Sequence, residues 1–410
     1  MNQHQNQTPP LELQYPDVAQ RVPIDQRLSR EYPYPELAFN EKKWSVSDFC
    51  GITYEAADKE WQRGVSYLNV PLLFAKPNQN NSGVIIKRTF AAQERLKGIT
   101  TVTPLVDVSE LIGQPGLTAL LKDETQQITG SFKTRGPWNY LSQLNQKELQ
   151  YGVRAASAGN HAAGVAMAAF LLDISAHIVM PTTAPIVKIN QVAEFGCKPE
   201  LVGEYYSQAA DYLDSFVYDG TSPLLVPPFD HPDIMTGNST LAAEAWSKYP
   251  GKPKFHFMPA GGGGLAGGSA AFLKSIDPNC ITIIVEPAGS DAMTHSMRNA
   301  RLEELDSVDS FVDATAVRKV GKHTLEACMQ YVNASVTVSN LEIAEATLDL
   351  HKFGIPVEAA GSLALAGARK LARHGRLRGD AVLYGTGGNI DPSKLQEMYE
   401  LVHDRKQFVA

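Results

Sequence analysis

The chain has 410 residues, of which 43% are hydrophobic and 20% are charged, and its formal net charge at pH 7 is -7. A chain of this length and apolar content can bury the cores of two or three domains, so we expect a globular protein. The acidic balance argues against a nucleic acid or an anionic membrane surface as the main partner and favours small-molecule ligands.

Residues 1–88 are interpreted as an N-terminal extension. Residues 1–35 are rich in Gln, Asn and Pro, a composition that favours a disordered arm. A helix is predicted from Thr53 to Leu68. The chain does not open with a basic region followed by an apolar run, and its four cysteines lack the spacing of zinc ligands. We therefore expect a cytoplasmic protein with reduced thiols.

Strands and helices alternate from residue 151 onward. The predicted order is strand 153–157, helix 161–172, strand 176–181, helix 185–196, strand 199–203, helix 207–220 and strand 223–229. Single helices between strands indicate right-handed crossovers and a parallel sheet. A second series has buried strands at 255–260 and 281–287, a helix at 267–276 and a strand that runs into a glycine turn at 385–389. These patterns predict an α/β protein with two lobes and a cleft between them.

One lysine, Lys133, lies among small and hydroxylated residues in TGSFKTRG, residues 129–136. An ordinary lysine has a pKa of about 10.4, so it can form an imine with an aldehyde at neutral pH only where it is desolvated or lies near another cation. Phe132 and Arg135 are candidates for these two influences. Taken alone, this stretch is more simply interpreted as containing a solvated surface lysine. The other motifs therefore decide whether Lys133 is catalytic.

Four consecutive glycines, Gly261–Gly264, follow a buried strand, and Leu265 comes next at the start of a helix. Converging backbone N–H groups at a helix N-terminus form a phosphate cradle. The same stretch also fits the dinucleotide fingerprint, with Gly262, Gly264 and Gly267 at GxGxxG spacing and Glu286 after the next strand. An NAD-binding oxidoreductase is thus a remote alternative, since that motif normally opens a domain and here follows a complete lobe.

Two further polar turns follow strands. SAGNH, residues 157–161, could bind a carboxylate at a helix N-terminus, although plain capping by Ser157 or Asn160 is the simpler alternative. GTGGN, residues 385–389, puts Thr386 at the end of an apolar strand, in the predicted cleft. A tight turn is the alternative there.

In combination and order these motifs resemble the fold-type II pyridoxal phosphate enzymes, and among them the threonine and serine dehydratases, or ammonia-lyases. The resemblance runs from FAAQERLKGITTVTPL to GTGGNIDP, roughly three quarters of the chain. It implies pyridoxal 5'-phosphate as the cofactor, held as an imine by Lys133, with Phe132 beside it, Asn160 on its phenolic oxygen, Gly261, Gly262, Gly263, Gly264 and Leu265 at its phosphate, and Thr386 at its ring nitrogen. The implied substrate contacts are Ser131, Ser157, Ala158, Gly159, Asn160 and His161.

We assign residues 89–151 and 231–410 to a large cofactor-binding domain and residues 152–230 to a small α/β domain, after the extension of residues 1–88. The resemblance also implies a homodimer or a homotetramer that binds a small-molecule amino acid. Because the chain ends about twenty residues after GTGGN, we expect no C-terminal regulatory domain.

The implied reaction is β-elimination from a β-hydroxy amino acid such as L-threonine or L-serine, which gives a 2-oxo acid and ammonia. A hydroxyl such as that of Thr386 cannot keep the ring nitrogen protonated as a carboxylate would, which favours elimination. Related racemases carry a second serine where this chain has Ala158, so racemisation is not expected. β-Replacement on an activated serine or threonine derivative stays open.

Several residues depart from the family pattern. GNST, residues 237–240, stands where relatives usually have a Gln-Gly pair, and Pro137 and Trp138 replace smaller or less rigid residues. Glu244 matches a position that ligates a divalent cation in some relatives, but Pro250 stands where a second acidic residue would be needed. We therefore expect no metal.

Overall fold

The computed structural model describes residues 79–216 and 222–409. The strands of this part are β1 (Leu105–Asp107), β2 (Ala119–Asp123), β3 (Val153–Ala156), β4 (Ala176–Met180), β5 (Glu200–Leu201), β6 (Leu224–Leu225), β7 (Phe255–Pro259), β8 (Ile281–Pro287), β9 (Ala334–Val338) and β10 (Ala381–Gly385). They form a six-stranded sheet and a four-stranded sheet.

Helices of the same part lie before, between and after the strands in the chain. They are α1 (Gln79–Leu96), α2 (Ser109–Ile112), α3 (Arg135–Leu141), α4 (Gln146–Leu149), α5 (Asn160–Leu172), α6 (Ile186–Glu194), α7 (Tyr206–Ser215), α8 (Pro232–Lys248), α9 (Gly264–Ile276), α10 (Ala292–Arg298), α11 (Lys322–Tyr331), α12 (Asn340–Lys352), α13 (Ala359–Arg373) and α14 (Pro392–Val409). None of the described helices is both long and apolar enough to cross a membrane.

The larger sheet has the strand order β1-β2-β10-β7-β8-β9. Only β1 runs antiparallel to its neighbour, and the other pairs are parallel. Successive residues of its central strands alternate between two hydrophobic clusters: Leu383 belongs to one cluster, and Val382 and Tyr384 belong to the other. Both faces of this sheet are therefore buried, which explains the nearly continuous apolar sequences of its strands.

The smaller sheet has the order β5-β4-β3-β6 and is entirely parallel. Helix α5 packs beside it, and its first ten residues are all buried. This helix passes very close to the segment that carries Lys133. A Cβ atom at Gly164 would lie 2.2 Å from the backbone oxygen of Lys133, so only glycine permits this approach.

The predicted fold class, two mostly parallel sheets flanked by helices, is confirmed. The last strand predicted in the first series, 223–229, is shorter in the structure and pairs only at Leu224–Leu225. Pro227 and Pro228 follow it and have no N–H group for a strand ladder. The predictions for residues 1–78 lie outside the described residues, and the domain boundaries stay predictions.

Three loops meet at one edge of the larger sheet. Parallel pairing aligns β10 with β2 and β7, and Gly385 lies opposite Asp123. The carboxyl ends of these strands therefore point the same way. The segments that follow them contain Lys133, the four glycines and Thr386, so the fold gathers three of the predicted motifs.

Candidate active site

The Lys133 segment is hydrogen-bonded directly to the GTGGN turn. Phe132 N donates to Thr386 O at 3.0 Å, and Gly388 N donates to Gly130 O at 2.9 Å. Ser131 also forms an isolated antiparallel bridge with Gly387. Two motifs that lie far apart in the chain thus share one backbone network.

Lys133 has the features of a nucleophilic amine. Its side chain is half-buried, and its Nζ donates to Pro228 O at 2.9 Å and lies 5.3 Å from the centroid of the Phe132 ring. Burial lowers the pKa of Lys133 to about 8, while the carboxylate of Glu358 opposes the shift. Arg135 does not lower the pKa of Lys133 as expected, because its guanidinium is paired with Glu124. Desolvation is therefore the main cause.

The glycine loop lies between the end of β7 and the start of α9, and Gly263 adopts a left-handed conformation with φ 88°. A Cβ atom at Gly262 would come within 2.2 Å of the Phe229 ring, and one at Gly264 would lie 2.9 Å from Phe229 Cβ. A side chain at either position would therefore require Phe229 to shift. The first N–H groups of α9 have no partner within the helix, so this loop can bind an anion.

Glu286, the acidic residue of the alternative dinucleotide fingerprint, has a different role. Its carboxylate accepts hydrogen bonds from the backbone N–H groups of Met293 and Thr294, at 3.0 and 2.9 Å, and from the Thr294 hydroxyl. Burial raises the pKa of Glu286 to about 8. The side chain caps α10 within the core and is not placed to bind a ribose, which argues against the oxidoreductase alternative.

Asn160, at the start of α5, is oriented by two residues that the sequence analysis missed. Its Nδ2 donates to Glu358 Oε1 at 2.5 Å, and its Oδ1 accepts from Asn389 Nδ2 at 2.8 Å. Asn389 ends the GTGGN motif, so its position in a recognised turn was an available indication. Glu358 precedes an alanine-rich helix and gave none.

The other predicted residues of the SAGNH turn lie together at the N-terminus of α5. Gly159 N donates to Ser157 Oγ at 3.1 Å. This bond closes a local turn and does not cap α5, because Gly159 is the N-cap residue and no side chain caps the helix. Ala158 is partly exposed. His161 Nε2 lies 3.0 Å from Val226 O. Because a carbonyl only accepts, Nε2 carries the hydrogen and Nδ1 is unprotonated. Burial, with a smaller effect from Lys133, lowers the pKa of His161 to about 3, so the ring is neutral near pH 7.

Lys188 places a fixed positive charge behind this turn, and the sequence analysis missed it. A Cβ atom at Gly159 would lie 3.0 Å from Lys188 Nζ. The ammonium is 2.7 Å from Asp313 Oδ2 and 3.6 Å from Glu358 Oε2. Burial alone would lower the pKa of Lys188, but these two carboxylates outweigh it and raise the pKa.

Residues 227–230, PPFD, close the site from another side. Pro228 accepts from Lys133, and Phe229 lies against the glycine loop. The carboxylate of Asp230 accepts from the backbone N–H groups of Lys322 and His323 at the start of α11. The PPFD segment therefore connects the lysine, the glycine loop and a further helix.

The site fits a small molecule that has an aldehyde, a phosphate and a weakly basic ring nitrogen. Lys133 offers a partly desolvated amine, the glycine loop offers N–H groups at a helix N-terminus, and Thr386 offers a hydroxyl. The hydroxyl of Ser131 is wholly buried and has no hydrogen-bond partner within the described residues, so it is free for a bound molecule. Pyridoxal phosphate has all three groups.

Comparison with known proteins agrees with this assignment. A family model described as "Pyridoxal-phosphate dependent enzyme" matches residues 96–387. The chain therefore belongs to the pyridoxal-phosphate dependent enzymes, with the two-sheet architecture of fold type II, and pyridoxal phosphate is its cofactor.

The similar proteins include dehydratases and ammonia-lyases. Threonine dehydratase of Nicotiana attenuata is 36% identical over 311 residues, which cover 75% of this chain and 51% of that enzyme. L-threo-3-hydroxyaspartate ammonia-lyase of a Pseudomonas species is 33% identical, and the match covers 74% of this chain and 94% of that enzyme. The processed form of threonine deaminase isoform 2 from Solanum lycopersicum has a TM-score of 0.72 at 33% identity, and covers 78% of this chain and 93% of that one.

The chain spans about half the length of the plant threonine dehydratases that it matches. The Pseudomonas enzyme, in contrast, is matched over nearly its whole length. The family model's match, residues 96–387, contains Lys133, the SAGNH turn, the four glycines and Thr386.

Proposed function

We propose that the chain is a pyridoxal-phosphate dependent ammonia-lyase. It would eliminate the β-hydroxyl group of a β-hydroxy amino acid such as L-threonine or L-serine and yield a 2-oxo acid and ammonia. The observation that carries this proposal is the hydrogen bond from Phe132 N to Thr386 O. It brings the lysine amine and an uncharged hydroxyl, rather than a carboxylate, to the same site.

The roles proposed for the cofactor-binding residues follow from their positions. Lys133 holds the cofactor, with Phe132 beside it. Asn160, oriented by Glu358 and Asn389, donates to the phenolic oxygen, and the loop Gly261–Gly264 with Leu265 binds the phosphate. Thr386 faces the ring nitrogen without a charge. The bound cofactor supplies an electron sink that acidifies the α-proton of the substrate.

The chain's own residues then position the substrate and move its protons. Ser131 and the turn Ser157–His161 bind the carboxylate, because this turn offers N–H groups at the N-terminus of α5 and Lys188 adds positive charge behind it. The Nζ of Lys133 takes the α-proton. The α-proton and the β-hydroxyl together leave the substrate as one molecule of water, and the released enamine is hydrolysed by water to the 2-oxo acid and ammonia.

The names of the relatives support elimination, and Ala158 supports it over racemisation. A base on the second face of the substrate is needed to invert the α-carbon, and Ala158 has no acidic or basic group. We therefore expect no D-serine from L-serine.

The test is an assay of purified, cofactor-loaded protein with L-threonine, L-serine and L-threo-3-hydroxyaspartate, with and without an added thiol. Ammonia and a 2-oxo acid formed without thiol support the proposal. A β-substituted amino acid formed only with thiol would instead show β-replacement. Assembly as a homodimer or homotetramer and a cytoplasmic location remain predictions, and light scattering of the eluting protein tests the first.

A further inference from the structure

Four charged residues form a buried cluster next to the segment that carries Lys133. Lys122, Glu124 and Arg135 have wholly buried side chains, and that of Glu244 is 9% exposed. We call these four residues the buried ionic quartet. Two positive and two negative charges balance within it. The exposed Lys248 reaches the edge of this cluster, with its Nζ 3.3 Å from Thr103 O.

The ammonium of Lys122 is surrounded by oxygen atoms. Its Nζ lies 2.7 Å from Thr103 O, 2.5 Å from Thr103 Oγ1 and 2.6 Å from Glu244 Oε2, and Glu124 Oε1 is 3.8 Å away. The Thr103 hydroxyl donates its own hydrogen to Glu124 Oε1, so it accepts from the lysine. Three acceptors require three hydrogens on Nζ, which only the ammonium form carries.

Arg135 joins the two carboxylates of the quartet. Its Nε and Nη2 donate to Glu124 at 2.8 Å each, and its Nη1 donates to Glu244 Oε1 at 2.6 Å. Glu124 follows β2 and Arg135 begins α3, so the fork between them closes the segment 124–135. Lys133 lies within this segment, two residues before Arg135, and any shift of the fork changes its position.

Burial makes the charge balance of the quartet necessary. Burial alone would raise the pKa of Glu124, but Arg135 and, less strongly, Lys122 outweigh it and hold the pKa below its ordinary value. Burial lowers the pKa of Lys122, and the carboxylates of Glu124 and Glu244 oppose this. Removing one charge of such a cluster leaves another buried and uncompensated, which is strongly destabilising.

We propose that Lys122 is a positioning residue that works as a tethered cation: its ammonium fills an oxygen-lined cation site and thereby holds the Glu124–Arg135 fork that places Lys133. The site has the oxygen ligands that hard cations prefer. When the side chain of Lys122 is removed, one positive charge is enough to restore the neutrality of the quartet. Mg²⁺ carries two charges and gives up its water ligands reluctantly. A monovalent ion such as K⁺ is therefore the ion we expect to substitute for the ammonium.

The experiment compares Lys122→Ala, which opens space for an ion, with Lys122→Met, which removes the charge but keeps the stem. Lys274→Ala is the matched control, because Lys274 is also buried but contacts the backbone oxygens of Pro278 and Cys280. Each protein is melted across a series of KCl concentrations, with tetramethylammonium chloride holding the ionic strength constant. We expect KCl to raise the melting temperature of Lys122→Ala alone, and the rise to saturate.

A second measurement separates positioning from mere stability. The apparent dissociation constant for pyridoxal phosphate, followed by fluorescence well below the melting temperature, should rise about tenfold in Lys122→Ala because Lys133 is misplaced. KCl should restore it, and tetramethylammonium chloride should not. These measurements do not use turnover, so they stand or fall separately from the proposed reaction.

The proposal is overturned if KCl acts no differently from tetramethylammonium chloride on Lys122→Ala, or if KCl raises the melting temperature of Lys122→Met or of Lys274→Ala as much as that of Lys122→Ala. Should Lys122→Ala not fold in dilute buffer, its refolding yield in the two salts supplies the same comparison. A higher yield in KCl supports the cation site. Equal yields, including none in either salt, contradict it.

Discussion

Lys133 is half-buried and Lys188 is buried, and their surroundings move their pKa values in opposite directions. Lys133 faces the carbonyl of Pro228, and burial lowers its pKa to about 8. Lys188 faces the carboxylates of Asp313 and Glu358, which raise its pKa despite burial. The partners of a buried lysine, more than its burial, thus decide whether it becomes a nucleophile or a permanent charge.

Replacing Lys133 tests whether this lysine is the nucleophile, and this change has the largest expected effect. Lys133→Ala should reduce ammonia-lyase turnover by at least about a thousandfold and abolish the yellow colour of the protein, because no amine remains to hold the cofactor. Absorbance spectra and a coupled assay measure both effects. A yellow, active variant would exclude Lys133 from the site, and an unchanged melting curve would show that the fold is intact.

Replacing Lys188 tests whether its permanent positive charge contributes to substrate binding. Lys188→Met removes the positive charge behind the SAGNH turn, so KM for the amino acid should rise by about tenfold while kcat changes less. Lys198, an exposed lysine in the loop that follows α6, supplies the control variant Lys198→Met, for which we expect no change. A fall in kcat with unchanged KM would contradict a role in binding the carboxylate.

The pH at which Lys133 becomes reactive measures directly how far its pKa lies below that of an ordinary lysine. A lowered pKa leaves more free amine at a given pH, so acylation of Lys133 in the cofactor-free protein should reach half its maximum rate near pH 8, about two units below an ordinary lysine. Peptide mass spectrometry follows the modification, and exposed Lys97 provides the internal reference. A midpoint close to that of Lys97 would contradict the desolvation argument.

Glu358 connects the two lysines, and its replacement should produce the smallest change. Its carboxylate raises the pKa of Lys133 against the effect of burial. Glu358→Gln should therefore move the acylation midpoint of Lys133 further down, by less than about one unit. The same labelling experiment measures it. A midpoint that moves upward would mean that the variant has reorganised the site.

The local sequence pattern is sufficient to predict the elements and motifs that depend on neighbouring residues in the chain. The alternation of β3, α5, β4 and α6 is visible as periodicity, and the four glycines and Lys133 stand out by composition. The spacing of Gly262, Gly264 and Gly267 with Glu286 also fits a fingerprint, but tertiary structure uses this glutamate as a helix cap. Spacing alone could not show that the carboxylate is already satisfied.

Residues that act through distant partners could not be predicted in this way. Asn160 meets Glu358 198 positions away, and Lys188 meets Asp313 125 positions away. Proximity in the sequence predicts that the charge of Arg135 lowers the pKa of Lys133, yet in the structure this charge is balanced by Glu124 and Glu244. Such pairings are fixed by the packing of whole elements, so one sequence does not contain them in readable form.

The close approach of α5 to the backbone of Lys133 has a consequence for protein engineering. A methyl group at position 164 would collide with the Lys133 carbonyl, so this position offers no useful diversity in a library selected for new substrates. Phe229 is different: its ring is partly exposed and lies beside the glycine loop. A library that keeps Gly164 and varies residue 229 changes the wall of the site and preserves the contact between α5 and the backbone of Lys133.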